Sequence, residues 1–573
     1  MARACYRTFT AAMLLRVGLV PLVLCATANQ DCGSEVSLLQ RRELPDSGSL
    51  SQDGNVTDPK EVWDSIWNRV RQESAACPPG TICGSSSHRE HAPTFPAPSA
   101  IPAIDYADPR KTQAAWQAPM QKTYDPGIRS PALGWNSWNQ FNLDVSEAKV
   151  LSVAQAMKSD GLLSSGFEYI VIDDGWAMKD RDAAGRMQAD PIKFPQGIKW
   201  LADHLHDLGF KFGIYTSVGS VTCGGGQPGI MDHHQIDAET FAAWDVDYVK
   251  VDRCGWPTEL SWAPGLDPDD LLELARITAG VDYPEDGKYP ESFYKVSGRV
   301  AAYQNFSATL NHTGRTMYLE ICDWGEDDTL EFAPEIANSF RMLWDNFPQW
   351  HRVQEIYEYF AQVPDIPAST TPGAYAFADM LEGGVDGHLY NVHFAPETNL
   401  TRREAATEHA MWSMWSSPLI LGFDVSNPSK AWVTDLMRNP ALLKINQDDL
   451  GIAARLAIRK QKNHCFYDTC YHTDVWVKPL AEGAVAVALV NMAGSYSQYN
   501  EKYQTESITV TWETLWLSPD TPVAVYSATE QKDLGIMNGP LSMDVEPHGV
   551  SVLVLTPQTT ASGTEPPRNH TGA

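Results

Sequence analysis

Basic residues are scarce in this chain of 573 residues, in which 43 lysines and arginines face 72 aspartates and glutamates. The resulting net charge of -29 opposes binding to nucleic acid phosphates and to anionic membrane surfaces. The sequence therefore predicts no nucleic-acid or membrane partner and favours a neutral or cationic one. An acidic surface that serves solubility alone is the alternative.

Long hydrophobic runs are confined to the N-terminus. There Arg3 and Arg7 precede an apolar stretch ending VGLVPLVLCATA, which predicts a signal peptide over residues 1–28. No later segment approaches the roughly 18 apolar residues that a membrane helix needs. We therefore expect a chain of the secretory pathway, extracellular or in a lysosome or vacuole. Asn-x-Ser/Thr sequons, which support glycosylation on that route, stand at Asn55, Asn305, Asn311, Asn399 and Asn569.

Motifs for metals and phosphates are missing. After the signal peptide, close spacing nominates the disulfides Cys77–Cys83 and Cys465–Cys470, although spacing does not fix connectivity. Neither pair is followed by a second Cys or His pair at zinc spacing. The glycines at 224–226 lack the following Lys and Ser/Thr of a phosphate loop. No cofactor and no metal are expected.

Composition divides the chain into segments. Residues 29–130 form a Ser/Pro-rich N-terminal extension, predicted to be a linker or propeptide with one short helix at 60–73. Over 131–450, strand-like apolar runs alternate with helical patterns, which predicts a (β/α)8 TIM barrel. Residues 451–557 are typical of a C-terminal antiparallel β-sandwich domain, and 558–573 of a disordered tail.

Carboxylates end several predicted barrel strands. Asp173 and Asp174 stand in VIDDGW, Asp252 in VKVDRC and Asp323 in EICDWG. Each alone could be a helix N-cap, but a buried carboxylate is costly unless it is hydrogen-bonded or used. Glycoside hydrolysis uses a pair of carboxyl groups, one as nucleophile and one as proton donor. Lys250 shares a strand face with Asp252 and either keeps it ionised or forms a structural ion pair.

Longer motifs, taken in order, resemble the family 27 glycoside hydrolases, the α-galactosidases (melibiases) and α-N-acetylgalactosaminidases. The resemblance runs over 131–557. Its motifs are LGWNSWNQF, YIVIDDGW, KFPQGIKWLADHLHDLGFKFGIYTS, TCGGGQPG, FAAWDVDYVKVDRC, TGRTMYLEICDWG and LLKINQDDLG. It implies a retaining α-galactosidase that acts on a galactose-containing oligosaccharide or glycoconjugate.

The resemblance also implies residue roles. Asp252 would be the nucleophile and Asp345 the acid/base, with Arg341 binding substrate. Asp173 and Asp174 would grip the 4- and 6-hydroxyls of galactose. Further pocket residues would be Trp135, Tyr215, Lys250, Asp323, Trp324 and Asp379, with a disulfide between Cys223 and Cys254 in the pocket wall.

This chain departs from the usual family sequence in three places. Around Asp345 the segment NSFRMLWDNF departs from the usual Arg-Thr…Asp-Ile form, so the alignment of Asp345 rests on Arg341 and a step of four residues. Where the family usually reads Cys-Glu-Trp, this chain has Asp323, which withdraws the acceptor of the sugar 2-hydroxyl by about one methylene. Extra sequence also follows Trp256.

Other functions stay open at this point. The same fold could cleave an α-N-acetylgalactosaminide or a β-L-arabinopyranoside. A carbohydrate-binding protein without catalysis and a secreted scaffold protein are readings of a different class. The presence of both Asp252 and Asp345 argues against these two, because binding alone needs no nucleophile beside a proton donor.

Overall fold

The computed structural model describes residues 101–256, 298–386, 399–466, 469–492 and 504–558, without the side chains of 461–471. The predicted signal peptide, the helix at 60–73, the Cys77–Cys83 pair, the extra sequence after Trp256 and the tail beyond residue 558 lie outside these residues. Within the described part of the chain, no helix is long and apolar enough to cross a bilayer.

Eight short parallel strands form a barrel, as the alternating pattern predicted. The first seven strands pair in chain order, and the first also pairs with the eighth. A parallel bridge between Leu381 and Leu421 closes the ring after the seventh strand. The strands are β1 (Leu133–Asn136), β2 (Tyr169–Ile172), β3 (Lys211–Ser217), β4 (Tyr248–Asp252), β5 (Tyr318–Cys322), β6 (Ser339–Arg341), β7 (Tyr375–Phe377) and β8 (Leu419–Leu421).

The fourth helix shows how an amphipathic pattern and a glycine cap define a barrel helix. The fourth buries Ile198, Leu201 and Leu205 on one face and ends before Gly209, whose φ of 99° suits a left-handed cap. The helices are α1 (Pro109–Trp116), α2 (Trp138–Phe141), α3 (Glu147–Ser159), α4 (Ile198–Leu208), α5 (His234–Ala243), α6 (Arg299–His312), α7 (Thr329–Ile336), α8 (Trp350–Gln362), α9 (Asp365–Ser369), α10 (Arg402–Met414), α11 (Ala431–Met437) and α12 (Pro440–Asn446).

Aromatic rings fill the barrel below the strand ends. Tyr248 and Tyr318 stack with their ring centroids 4.8 Å apart, and Tyr169 packs edge-on against Tyr248 at 5.4 Å. Because alternate residues of a strand share a face, Lys250 and Asp252 point inward above Tyr248. This layer of tyrosines therefore supports a polar layer at the carboxyl ends of the strands.

The C-terminal residues form an antiparallel domain, as predicted. Six strands run in the order β14-β13-β16-β11-β10-β9, and β12 pairs with β15. The backbones of Cys465 and Cys470 pair directly between β9 and β10. The strands are β9 (Arg455–Phe466), β10 (Thr469–Pro479), β11 (Val485–Met492), β12 (Glu506–Val510), β13 (Pro522–Ser527), β14 (Lys532–Asn538), β15 (Leu541–Val545) and β16 (Val550–Pro557).

The linker prediction does not hold for residues 101–130. Ile101, Ile104 and Trp116 are buried in the core of the C-terminal domain. The hydroxyl of Tyr124 donates to the Met317 carbonyl next to β5 at 2.6 Å. Their burial depends on surfaces hundreds of residues away, so Ser/Pro-rich composition could not reveal it.

A buried cluster of charged side chains joins α8 to the C-terminal sheet; we call it the junction cluster. Arg459 lies 2.7 Å from Glu358 and 2.7 Å from Asp474, and His472 contacts both carboxylates. Burial opposes ionisation of Asp474, but His472 and Arg459 outweigh it and lower its pKa to about 2. Burial likewise opposes protonation of His472, but Asp474 and Glu358 raise its pKa to about 9.

Candidate active site

Asp252 ends β4 and is buried, with 7% of its surface exposed. The Arg253 amide donates to its Oδ1 at 2.8 Å, and the Tyr215 hydroxyl donates to its Oδ2 at 3.2 Å. Burial raises the pKa of Asp252 to about 6; Lys250 opposes this rise and Asp345 adds to it. Both carboxylate oxygens are thus held in place, and the group changes its charge in mildly acidic solution.

Lys250 combines the two roles that the sequence left open. Its ammonium donates to Asp173 Oδ2 at 2.8 Å and lies 5.2 Å from the centre of the Tyr215 ring. The Asn136 amide donates to the same oxygen of Asp173 at 2.8 Å. The direct ion pair is therefore with Asp173, while the charge of Lys250 lowers the pKa of Asp252 from a distance.

Arg341, at the end of β6, organises the opposite side of the barrel mouth. It is almost fully buried, with Nη2 3.0 Å from Asp345 Oδ1 and Nη1 2.8 Å from Asp379 Oδ1. The Asp379 side chain is 2% exposed, whereas a quarter of the Asp345 side chain is exposed. The Arg341 guanidinium therefore orients two carboxylates, the buried Asp379 and the solvent-accessible Asp345.

Asp174 holds the glycine-rich loop beside the pocket. Its Oδ2 accepts from the amides of Gly224 at 2.7 Å and Gly225 at 3.0 Å. Burial raises the pKa of Asp174, and these two amides oppose the rise. The same loop carries the disulfide between Cys223 and Cys254, which confirms the pairing implied by the family resemblance.

Asp323 follows β5 and is fully buried. Its Oδ2 accepts from the Thr329 hydroxyl at 3.0 Å, and its Oδ1 lies 3.2 Å from Arg299 Nε. Burial raises its pKa to about 7, with Arg299 opposing. In this structure the carboxylate is therefore engaged by α6 and α7, whereas Arg341 pairs with Asp345 and Asp379.

Aromatic side chains complete the walls. Trp135 is fully buried and donates from Nε1 to the Phe423 carbonyl at 2.8 Å. The backbone of Trp324 is left-handed, with a φ of 58°, and the Arg253 guanidinium lies 5.3 Å from its ring centre. Each of these aromatic residues thus has structural partners beside the position predicted for the sugar.

One group of side chains has the spacing of a metal site but not its chemistry. Ligand atoms of Cys223, Asp252 and Cys254 lie within 4.8 Å of one another. The two sulfurs are bonded to each other, so neither is the thiolate that binds metals. This group does not fit a metal ion.

Buried polar residues around the site that the sequence did not indicate include Glu320, Asn346 and Glu408. Glu320 lies two residues before Cys322 on β5 and accepts a hydrogen bond from the Tyr248 hydroxyl. Burial raises its pKa to about 7, against the charge of Lys250. In the structure Glu320 pairs in register with Lys250 and shares its inward direction, whereas alternation from Asp323 would have put Glu320 on the opposite face.

Comparisons with known proteins agree with this arrangement. A family model described as α-galactosidase A matches residues 130–267 and 277–448, and a model of the α-galactosidase C-terminal β-sandwich domain matches 471–555. The chain is 30% identical to an α-galactosidase of Cyamopsis tetragonoloba over 75% of its own length and 87% of the relative's. It is 36% identical to an α-galactosidase of Schizosaccharomyces pombe over 58% and 70%, respectively.

Among solved structures, α-galactosidase I of Mortierella vinacea is similar with a TM-score of 0.60 and 27% identity. The similarity covers 75% of this chain and 98% of that one. It therefore includes almost the whole of the Mortierella chain.

Proposed function

The chain belongs to the α-galactosidase family, and on that basis we propose that it hydrolyses terminal α-D-galactosides with retention of configuration. Asp252 is the nucleophile and Asp345 the acid/base. One observation carries the proposal: a buried carboxylate, fixed at both oxygens, is electrostatically coupled to a second, more exposed carboxylate at the same barrel mouth. A two-step glycosidase needs these two kinds of carboxyl group.

In the first step Asp252 attacks the anomeric carbon, and the bond to the aglycone oxygen breaks. Asp345 gives its proton to that oxygen, which leaves as an alcohol. In the second step Asp345 takes a proton from water, and the water oxygen displaces Asp252 to release α-galactose. Tyr215 and the Arg253 amide support this chemistry because they orient the carboxylate before substrate arrives.

The greater exposure of Asp345 suits an acid/base. The group must meet the aglycone oxygen in one step and a water molecule in the next, so it needs access from outside the sugar pocket. Arg341 holds one of its oxygens, which limits rotation of the carboxyl group.

The remaining polar groups serve substrate binding. We assign Asp173 and Asp174 to the 4- and 6-hydroxyls, with Lys250 fixing Asp173. Asp323 stays a candidate acceptor for the 2-hydroxyl, in competition with its bonds to Arg299 and Thr329. Other proposed sugar-pocket residues are Trp135, Tyr215, Trp324, Arg341 and Asp379, bounded by the disulfide Cys223–Cys254.

We also propose passage through the secretory pathway. The predicted signal peptide supports this, and the sequons at Asn305, Asn311 and Asn399 lie at exposed positions. The partner is then a galactose-containing oligosaccharide or glycoconjugate met outside the cytosol.

The test is turnover by the purified protein of a panel of nitrophenyl glycosides. We expect the α-galactoside to be the best substrate, ahead of the α-N-acetylgalactosaminide and the β-L-arabinopyranoside. Proton NMR of the first sugar released should show α-galactose. Turnover of none of the three would favour the binding protein, and initial release of β-galactose would contradict the double displacement.

A second glycone is favoured by one observation only. Asp323 is shorter than the Glu usual at this position and is engaged by Arg299 and Thr329, which could change the room beside the 2-position. If the protein prefers the α-N-acetylgalactosaminide in the same panel, N-acetylgalactosamine and not galactose is the sugar that it recognises.

A further inference from the structure

A buried polar bridge lies behind Asp345. Asn346, the residue after Asp345, is fully buried. Its backbone amide donates to Asp379 Oδ2 at 2.6 Å. Its side-chain amide donates to Glu408 Oε1 at 2.9 Å and to the Met380 carbonyl at 3.0 Å. The residue after the acid/base is thus fixed by contacts to the segment after β7 and to α10.

Glu408 is the far end of this bridge. It lies on α10, is fully buried, and accepts at 3.1 Å from the backbone amides of Glu382 and Gly383. Burial raises its pKa to about 7, and these amides together with Asn346 oppose the rise. Every one of these partners is an N–H donor, so the geometry suits an ionised acceptor. The carboxylate ties Asn346 to the segment at 382–383.

The bridge closes a ring of contacts around the acid/base. Arg341 binds both Asp345 and Asp379, and Asp379 in turn accepts from the amide of Asn346. Glu408 holds Asn346 from the other side. A shift of Asn346 would therefore move the peptide that carries Asp345 relative to Arg341.

A purely structural role accounts less well for this pair. Burying a carboxylate costs free energy unless its hydrogen bonds are made, and an apolar pair would fill the same space without that cost. The bridge instead provides direction, since hydrogen bonds fix the orientation of Asn346 where apolar contacts would not.

We propose that Glu408 is a positioning residue that acts through Asn346 to hold Asp345 where it can protonate the leaving group. This inference rests on the proposed function, because it requires Asp345 to be the acid/base. Glu408 itself touches no substrate in this account.

The test compares leaving groups. The dinitrophenolate of a dinitrophenyl α-galactoside leaves without being protonated, whereas the alcohol of an alkyl α-galactoside or oligosaccharide must be protonated as it leaves. Only kcat/KM on the alkyl substrate or oligosaccharide therefore reports acid catalysis. Glu408→Gln replaces one acceptor oxygen with an NH2 group that faces N–H donors. We expect kcat/KM to fall about tenfold to a hundredfold on the alkyl substrate and less than about threefold on the dinitrophenyl substrate.

Glu404→Gln is the matched control, because it makes the same chemical change one turn earlier on α10. Glu404 closes the helix cap with Thr401 and contacts His548, away from Asn346. This variant should keep the wild-type ratio of the two substrates. Asn346→Leu removes the bond to Glu408 but leaves the two backbone amides on Glu408, and it should reproduce the selective loss even if Glu408→Gln fails to fold.

The outcomes separate the inference from the function on which it rests. Asp345→Asn should show the strongest leaving-group dependence; a uniform loss there would remove Asp345 as the acid/base. Suppose that Asp345→Asn behaves as expected. If kcat/KM of either Glu408→Gln or Asn346→Leu then falls equally on both substrates, or on neither, Glu408 is not a positioning residue. A selective loss in Glu404→Gln would also overturn the inference.

Discussion

The barrel mouth and the junction cluster both bury charged side chains, but they balance charge differently. In the junction cluster, Arg459 and His472 match Glu358 and Asp474, and the pKa shifts of Asp474 and His472 favour the charged forms. At the barrel mouth carboxyl groups outnumber the cations, even when Arg253 and Arg299 are counted beside Lys250 and Arg341. Burial raises the pKa of several of these carboxyl groups. The affected groups are Asp174, Asp252, Glu320, Asp323 and Asp379.

The difference shows what each cluster is suited to do. A matched set of ions fixes two surfaces against each other and gains nothing by exchanging protons. An excess of carboxyl groups in a buried pocket keeps some of them near the point of ionisation, which nucleophilic and acid/base catalysis require.

Removing the charge of either catalytic carboxylate should break activity without breaking the fold. We expect Asp252→Asn to lower kcat/KM on nitrophenyl α-galactoside by about a thousandfold or more, since the nucleophile is lost while the shape is kept. Thermal unfolding should show little or no loss of stability. Near-wild-type turnover would remove Asp252 from the mechanism.

Removing a cation from the junction cluster should do the reverse. Arg459→Met leaves Glu358 and Asp474 without their shared guanidinium, which should cost about 3–5 kcal/mol of unfolding free energy. The kcat of the remaining folded protein should be unchanged, because the cluster lies outside the proposed pocket. Denaturant unfolding and active-site titration measure the two effects. A large fall in kcat with full stability would erase the contrast between the regions.

Asp323 lies between the two cases, because it follows a barrel strand yet is paired with a cation, as the residues of the junction cluster are. If it also binds the 2-hydroxyl, Asp323→Ser should cost about 1–3 kcal/mol of transition-state stabilisation on galactosides and relax the pocket toward N-acetylgalactosaminides.

The matched control for Asp323 is Thr329→Val, which removes a hydrogen bond to the carboxylate without removing the carboxylate itself. It should lower stability and leave the ratio of the two efficiencies unaltered. An unchanged ratio in a folded Asp323→Ser would show that Asp323 is structural only.

The smallest effect concerns the pH dependence of stability. Because burial raises the pKa of Glu320 from 4.5 to about 7, its contribution to unfolding free energy is present below pH 4.5 and lost as the pH rises through 7. Glu320→Gln mimics the protonated form, so this variant should gain stability relative to the wild type between pH 5 and pH 8. The pKa of the Glu320 carboxyl group also depends on its neighbours, which are Tyr248, Lys250, Arg341 and Asp379.

The two titrating groups of the junction cluster should respond over different pH ranges from Glu320. The contribution of Asp474 is present above pH 3.8 and lost as the pH falls through 2, and that of His472 is present below pH 6.5 and lost as the pH rises through 9. Urea unfolding of the wild type and of Glu320→Gln at several pH values measures how the unfolding free energy of each protein depends on pH. Parallel stability curves for the two proteins between pH 5 and pH 8 would contradict the assignment to Glu320.

The sequence predicted the parts of this structure that depend on local pattern. Strand runs such as YIVIDDGW, followed by amphipathic helices such as α4, indicated the barrel and the edge where Asp252 lies. The sequence did not predict which partners the buried side chains contact. Asp323, for example, contacts Thr329, six residues away, and Arg299 on α6. Glu408 escaped notice because its partner Asn346 lies 62 residues earlier in the chain.

The most direct test of the central assignment is chemical rescue of Asp252→Gly with azide. Removing the carboxylate leaves room for an anion on the face of the sugar that Asp252 attacks. We expect azide to restore turnover of a nitrophenyl α-galactoside and the product to be β-galactosyl azide. Absence of rescue in a folded variant, or formation of α-galactosyl azide, would contradict the assignment of Asp252 as the nucleophile.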